Sequence, residues 1–497
     1  MAQEYQSEMR DSVIRALAEK VRTRNFGSYL RTIKLVKARA FTDQVVELEF
    51  PVTALIGTNG GGKSTILGAA AIAYKSIRPA LFFPKSSLGD QSMSNWRIHY
   101  EMIEKSRSQS NLIPRSSRFR NSKWVRDDLI ERDVIYFGII RTVPAGERRE
   151  FKKMASMTYE YTGSRLALSA KVQEEAARIL GKDVSEFRRA QISESRDFYI
   201  GGDKDISYSE FHFGAGESSI LRMVGAIEAT PPNSLVLIEE IENGLHPVAV
   251  RKMVEYLIEV ASRKSIQSIF TTHSEDALMP LPNEAIWSSI DGKVQQGKVS
   301  IEALRAITGR IDQRLAIFVE DEFAKDWVES AVRNALPARL DEIGVYAVQG
   351  DSRAYAIHLS HRANPAIRDK LKSVCILDGD SDKEESADRG IIKLPGDAPE
   401  TEVFNYVRRK IDELSMRLAV AMHLSPDKEG MVKEIVQEVS MNNRDHHLLF
   451  SQVGAKAGLI PYAIVSSAFV SIWLDGNREQ ASAITEFIVR NLDAAGS

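Results

Sequence analysis

The run Gly57-Thr58-Asn59-Gly60-Gly61-Gly62-Lys63-Ser64 constrains this chain more than any other stretch. It follows the apolar residues Val52 to Ile56 and opens onto Thr65-Ile66-Leu67-Gly68-Ala69-Ala70-Ala71-Ile72. Strand, glycine-rich loop and helix thus stand in the order that the pattern G-x-x-x-x-G-K-[ST] needs to cradle phosphate. Glycines let backbone N–H groups turn inward with no side chain in the way, and the following helix offers its positive end to an anion. In this pattern Lys63 reaches β- and γ-phosphates and Ser64 ligates Mg2+. Gly57, Asn59, Gly60, Gly62 and Thr65 complete the candidate nucleotide-binding set.

A chain of 497 residues has room for two or three domains, and 43% hydrophobic content lets each bury a core. Sixty-six basic residues oppose 68 acidic ones, so the net charge of -2 gives no global attraction to nucleic acid or membrane. Any surface for DNA must be a local patch. The single cysteine, Cys375, rules out an intramolecular disulfide and a cysteine-cluster zinc site, which fits a reducing, cytoplasmic setting. The first residues are polar and charged, which argues against a secretory signal. Ala457 to Leu474 is uncharged but carries Pro461, Ser466, Ser467 and Ser471, and it reads as a buried helix rather than a membrane span.

Residues 1–27 have helical periodicity through Met9, Val13, Ile14, Leu17 and Val21. Tyr29 to Lys37 and Val45 to Phe50 read as strands of an antiparallel layer beside a parallel core. From Ala80 to Phe211 no heptad run is sustained, so long coiled-coil arms are absent. There Arg115, Arg118, Arg120, Lys123 and Arg126 interleave with Phe119 and Trp124, and Arg148, Arg149, Lys152 and Lys153 follow. Such a pattern suits a nucleic-acid backbone or a solvated loop, the second being the commoner case. Arg165 to Gln191 has a helical pattern, and Ile206 to Phe213 alternates like a strand.

Leu235 to Ile238 is an apolar strand ending in Glu239-Glu240, and Ile266 to Phe270 is another, ending at Thr271-Thr272-His273. An open α/β sheet places its ligand chemistry at such carboxyl ends. Glu239 can hold Mg2+ through water, Glu240 can orient or deprotonate an attacking water, and His273 can face the γ-phosphate. The ordered set resembles an ABC-type ATPase head of the class shared by SMC-like repair proteins and OLD-family (overcoming lysogenization defect) nucleases. The resemblance spans about residues 28 to 290 and implies ATP as cofactor. Gly57 to Ser64 is similar to Walker A, Leu235 to Glu240 to Walker B, and Asn243 to Pro247 to the D-loop region. His273 is similar to the switch histidine, and Gly214-Ala215-Gly216-Glu217 to the signature motif. In this class one head's signature completes the ATP site of another, so Gly214, Gly216 and Glu217 imply a homodimer formed through ATP. Glu239 stands where the usual aspartate would be, and Gly-Ala-Gly-Glu replaces Ser-Gly-Gly-Gln.

A second domain begins near Asp312: alternating strands and helices signal a smaller parallel sheet, with Glu402 to Leu492 mostly helical. Glu320 ends one strand, and Asp378 and Asp380 end another. Three such carboxylates suit Mg2+ or Mn2+ for phosphodiester cleavage, and on spacing alone they are equally well acidic loop and cap residues. Val319-Glu320 and Asp378-Gly379-Asp380 resemble a TOPRIM domain, although Asp321 stands where the family usually has glycine. An ABC head followed by TOPRIM is the layout of OLD-family nucleases, including the nuclease subunit of Gabija-type antiphage systems. The resemblance implies catalytic Glu320, Asp378 and Asp380, a further carboxylate from Glu400 or Glu402, and Lys456 as a late basic residue contacting phosphate. Asp445-His446-His447 reads as a helix start, the sequence offering no third metal ligand beside it.

The expected architecture is therefore α/β: an ABC-type P-loop ATPase head over residues 1–310, with an N-terminal helix over 1–27. A smaller Rossmann-like TOPRIM domain with a helical C-terminal region follows over 311–497. The expected activity is ATP hydrolysis coupled to metal-dependent cutting of nucleic acid, most simply DNA, in defence against phage, with a defence-system partner and tetramers left open. Two other classes compete: a nucleotide-switched scaffold whose TOPRIM-like domain is inactive, and an SMC-like repair ATPase.

Overall fold

The computed structural model describes residues 9–494 apart from 59, 87–89, 91–92, 153, 156–160, 162, 194–195, 204–205, 291, 298–302, 304–305 and 307–310. The chain divides into two compact units, within residues 4–298 and 299–497.

The first unit is built on a six-stranded sheet in the order Lys293–Gln296, Ile286–Ile290, Val52–Gly57, Gln267–Thr271, Leu235–Ile238, Val134–Phe137. Pairing is parallel except in the hairpin of the first two strands. Val52–Gly57, Leu235–Ile238 and Gln267–Thr271 are buried along their whole length, which is why they read as continuous apolar runs rather than alternating ones. A five-stranded antiparallel sheet holds Phe41–Glu47, Ser28–Ala38, Trp96–Glu104, Ile113–Arg120 and Lys123–Arg126 in that order. Gln267 fastens the two sheets: its amide accepts from Leu30 N at 2.9 Å and donates to Leu30 O at 2.8 Å. A buried amide with both ends satisfied costs little and fixes register. The helix Asp11–Arg22 buries Ile14, Leu17 and Val21, the stripe legible in its spacing.

Two local expectations change. Arg165 to Gln191 is not one helix: Ala170–Leu180 is helical, Gly181 closes it in the left-handed region at φ 69°, and Arg188–Ser193 is a strand. That strand joins Arg165–Ala167, Arg196–Asp203 and Ile206–Ser209 in an antiparallel sheet, where pairing overrides helical pattern. Ile206 to Phe213 is a strand only to Ser209, after which Glu210–His212 turns so that Glu210 can enter the core. The basic and aromatic cluster is likewise neither a loop nor a stacking platform. Its hairpin turns Phe119 and Trp124 inward against Phe83 and Trp96. Arg126 caps backbone carbonyls of Ile72, Tyr74 and Ile77 beyond the P-loop helix.

The second unit has a four-stranded, all-parallel sheet in the order Ile343–Ala347, Leu315–Val319, Lys372–Leu377, Ile391–Lys393. Helices from Pro399–Arg409 to Arg478–Asp493 follow it. Its core joins Phe323, Trp327, Phe404, Phe450, Phe469 and Trp473, with the two indoles 4.7 Å apart. Most of Ala457 to Leu474 lies in the buried helix Tyr462–Gly476. Among the described residues no helix is long and apolar enough to cross a membrane.

Candidate functional site

The P-loop strand Val52–Gly57 runs into the helix Lys63–Ile72 with Gly62 as its N-cap. Gly57 sits at φ 142°, and a Cβ there would lie 2.1 Å from Ser289 O, so glycine is dictated by both conformation and space. Lys63 is 8% exposed and donates to Gly57 O at 2.7 Å and Thr58 O at 3.1 Å. Burial lowers its pKa to about 8, against the opposing pull of Glu240 and Glu242. A cavity of ≈ 330 Å³ lies over the loop, lined by Gly60, Gly62, Lys63, Ser64 and Thr65 together with Glu239, Glu240 and His273. The expected residues therefore converge, and Arg39 joins them, its guanidinium 3.2 Å from Thr65 Oγ1. Asn59 lies outside the described residues.

Glu239 and Glu240 are held by side chains the sequence does not advertise. Tyr136, on the neighbouring parallel strand, donates to Glu239 Oε2 at 2.8 Å. The buried Arg141 donates to the carbonyls of Glu239 and Glu240, each at 2.6 Å. Glu240 occupies the left-handed region at φ 45°, and its N–H is tied to Thr271 Oγ1 at 2.8 Å. A non-glycine residue held in that region costs of order 1–3 kcal/mol and persists only where neighbours over-determine it. Glu242 accepts from Thr272 Oγ1 and His273 N, both at 2.7 Å, and so fixes the backbone that carries His273.

Gly214 is the N-cap of the helix Ala215–Ala229, and Gly216 packs against Gly244 O. Glu217 forms an ion pair with Lys182 and is 3.4 Å from Tyr208 Oη. None of the three lines the P-loop cavity of the same chain. Behind this helix the buried Glu210 accepts from Arg222 Nη2 with both carboxylate oxygens, at 2.6 and 2.7 Å, which anchors the helix to the antiparallel sheet.

In the second unit, parallel pairing of Val319 with Ile376 sets the ends of two adjacent strands side by side, so Glu320 and Asp378 emerge at one sheet edge. Desolvation, then Asp321, Asp351, Asp380 and Glu400, push Glu320 up to about 7. Desolvation, then Asp321, Glu320, Glu400 and Asp380, push Asp378 up to about 8. Asp378 is 8% exposed, and its buried Oδ1 has no hydrogen-bond partner among the described residues. Like charges gathered in a low-dielectric edge resist joint ionisation, and a cation relieves them. Gly379 is forced by contact: a Cβ would sit 1.7 Å from Gly396 O. Asp321 caps the helix Glu322–Ala335 by accepting from Ala324 N at 2.8 Å, a use that explains an acid where glycine was expected.

The two further carboxylates, Glu400 and Glu402, stand in different surroundings. Glu400 is buried and acts on the cluster, whereas Glu402 packs on Gly396 and faces Trp473. Asp351 is a member that sequence reasoning missed; it starts the helix Asp351–Ala363 and accepts from Ser381 Oγ at 2.8 Å. Lys456 closes the helix Leu449–Lys456 and forms an ion pair with Glu438 at 2.7 Å.

A family model described as "AAA domain, putative AbiEii toxin, Type IV TA system" matches residues 104–279. That range includes the strand bearing Tyr136 and the strands that lead into Glu239 and His273. No curated protein matches the chain. Among solved structures, the SmcHead bound to the C-winged helix domain of ScpA aligns at TM-score 0.40 and 15% identity, over 56% of this chain and 99% of that one. An Smc head domain with an extended coiled coil, bound to the C-terminal domain of ScpA derived from Pyrococcus furiosus, aligns at 0.39 and 13%, over 56% and 98%. The SMC head domain from Thermotoga maritima aligns at 0.35 and 11%, over 54% and 99%. With the matched family and the geometry of Gly57 to Thr65 taken together, the first unit has the fold of a P-loop ATPase.

Proposed function

We propose that this chain hydrolyses ATP in its first unit and uses the second, a TOPRIM-type domain over 311–497, as a metal-dependent nuclease of the OLD-family layout. Lys63 and the loop N–H groups bind the phosphates, Ser64 and Glu239 would hold Mg2+, Glu240 positions the attacking water, and His273 faces the γ-phosphate. Gly214, Gly216 and Glu217 lie away from their own P-loop cavity, which supports their use across an ATP-dependent homodimer. The observation that carries the nuclease reading is the same-sign group at the second sheet edge, with its buried Asp378 Oδ1 unpartnered among the described residues. Glu320, Asp378 and Asp380 would hold Mg2+ or Mn2+ there, ions that activate water and stabilise charge on a phosphodiester. DNA as substrate, the cytoplasm as location and defence against phage as role rest on the family resemblance.

The test is cleavage of supercoiled plasmid with Mg2+ or Mn2+, with and without ATP. Wild type cuts, Asp378→Ala does not, and Lys63→Ala no longer responds to ATP. Intact ATP hydrolysis with no metal-dependent cutting of plasmid, oligonucleotide or RNA would instead establish the nucleotide-switched scaffold.

A further inference from the structure

The pair His446-His447 acquires in the fold the third ligand that its sequence neighbourhood lacks. The turn His446–Leu448, capped by Asp445, lies against the first turn of the helix Pro399–Arg409, which carries Glu400. His447 Nδ1 stands 2.8 Å from Glu400 Oε1, and the two imidazole centroids are 4.0 Å apart. One ligand atom from each of Glu400, His446 and His447 falls within 4.8 Å of the others. Two donors about 2.1 Å from one tetrahedral ion lie roughly 3.0 to 3.4 Å apart. The Glu400–His447 spacing therefore needs only a few tenths of an ångström of opening for an ion to replace the shared proton. Both histidines are exposed and Glu400 is 97% buried at 3% exposure, so the buried carboxylate anchors the site and the rings close it from solvent.

The simpler account is an ion pair between His447 and Glu400 with His446 beside it. An ion pair uses one imidazole, whereas a ring nitrogen of each histidine lies within 4.8 Å of a Glu400 carboxylate oxygen. The chemistry of the donors also differs from that of the neighbouring edge: carboxylates alone suit Mg2+ or Mn2+, whereas two imidazoles and one carboxylate suit Zn2+ and its neighbours.

We propose that Glu400, His446 and His447 form a Zn2+-class site, distinct in its donors from the Glu320–Asp378–Asp380 group and keeping at least one coordination position open to solvent. The inference rests on this trio and not on the nuclease reading. Plasmid cleavage can fail while this metal binds, and binding can fail while cleavage persists.

The test is titration of the chelated, desalted full-length protein with Co2+, read by visible absorption and by metal content after gel filtration. Wild type takes up Co2+ with a tetrahedral-type spectrum, and the His446→Ala/His447→Ala double variant binds about 100-fold more weakly. Asp378→Asn, outside the trio, keeps the spectrum. Both histidines are exposed, so circular dichroism melts confirm that the double variant is folded. His446→Cys supplies a direct signature, because a thiolate bound to Co2+ adds a charge-transfer band only if position 446 is a ligand. Indistinguishable binding by wild type and the double variant, or Co2+ bound to the His446→Cys protein without that band, would overturn the proposal.

Discussion

The two candidate sites are built on opposite electrostatic plans. At the P-loop most charged side chains are already held by polar groups: Lys63 by loop carbonyls, Glu239 by Tyr136, and Glu242 by Thr272 and the backbone of His273. At the second sheet edge, Glu320, Asp321, Asp351, Asp378, Asp380 and Glu400 share one sign, and Asp378 Oδ1 has no hydrogen-bond partner among the described residues. The first arrangement is complete as a protein and adds a phosphate to donors already aimed. The second is frustrated as a protein and would be relieved by a cation. Removing a charged group should therefore damage the first site and relax the second.

The largest expected effect lies at the P-loop. Lys63→Ala deletes a buried cation aimed along the loop, and loss of one preorganised donor to developing phosphate charge costs about 10²- to 10³-fold in rate. A steady-state ATPase assay measures it, and near-normal turnover in the variant would mean that the cavity over Gly57 to Thr65 is not the hydrolytic site. Next is Gly379→Ala. Its Cβ would meet Gly396 O at 1.7 Å, so the loop must move, at a cost of about 1–3 kcal/mol or more. Thermal melts should show destabilisation that metal cannot restore, because the shift moves Asp378 and Asp380 together.

The third prediction turns on sign. Glu320 and Asp378 titrate at about 7 and about 8 when folded, above their ordinary values of 4.5 and 3.8. The folded state thus holds their protons more tightly than the unfolded one. Their contribution is fully present below the ordinary values and is lost as pH rises through the raised ones. In chelator, the melting temperature of the wild type should fall relative to Asp378→Asn as pH increases from about 5 to about 8. Adding Mg2+ should reverse that difference at the upper end. Parallel curves for the two proteins would remove the electrostatic argument for a cation at this edge.

What the sequence made legible follows the same contrast. The P-loop was readable because its backbone admits few residue types, in a fixed order: Gly57 has neither the space nor the conformation for anything else. Glu320 and Asp378 were readable because apolar strands end there and parallel strands align their ends. Asp351 was not, since it lies at the start of a helix whose approach depends on Ile343–Ala347 pairing beside Leu315–Val319. Nor was the meeting of Glu400 with His447, which joins a helix to a distant turn through tertiary packing alone. The helical pattern read through Gln191 runs into the strand Arg188–Ser193 because that strand's partner, not its own residues, decides its state.

Tyr136 is the sharpest case of what sequence withholds, and it carries the smallest expected effect. It sits on the edge strand Val134–Phe137, paired in parallel with Leu235–Ile238, and nothing in its own neighbourhood marks it. Its hydroxyl reaches Glu239 Oε2 at 2.8 Å, and burial followed by that carboxylate raises its pKa, so it stays a donor throughout the working range. Glu239 is longer by a methylene than the aspartate usual at this position, and an extra rotatable bond must be fixed if the carboxylate is to hold an ion in one place. Tyr136→Phe keeps the ring, which packs at 4.6 Å on Phe82, and deletes only the donor. The protein should lose about 1 kcal/mol or less of stability, while the Mg2+ concentration for half-maximal ATPase activity rises about tenfold. An unchanged Mg2+ requirement would show that Glu239 is oriented by the Arg141-braced backbone alone, and the Tyr136 bond would then be packing rather than positioning.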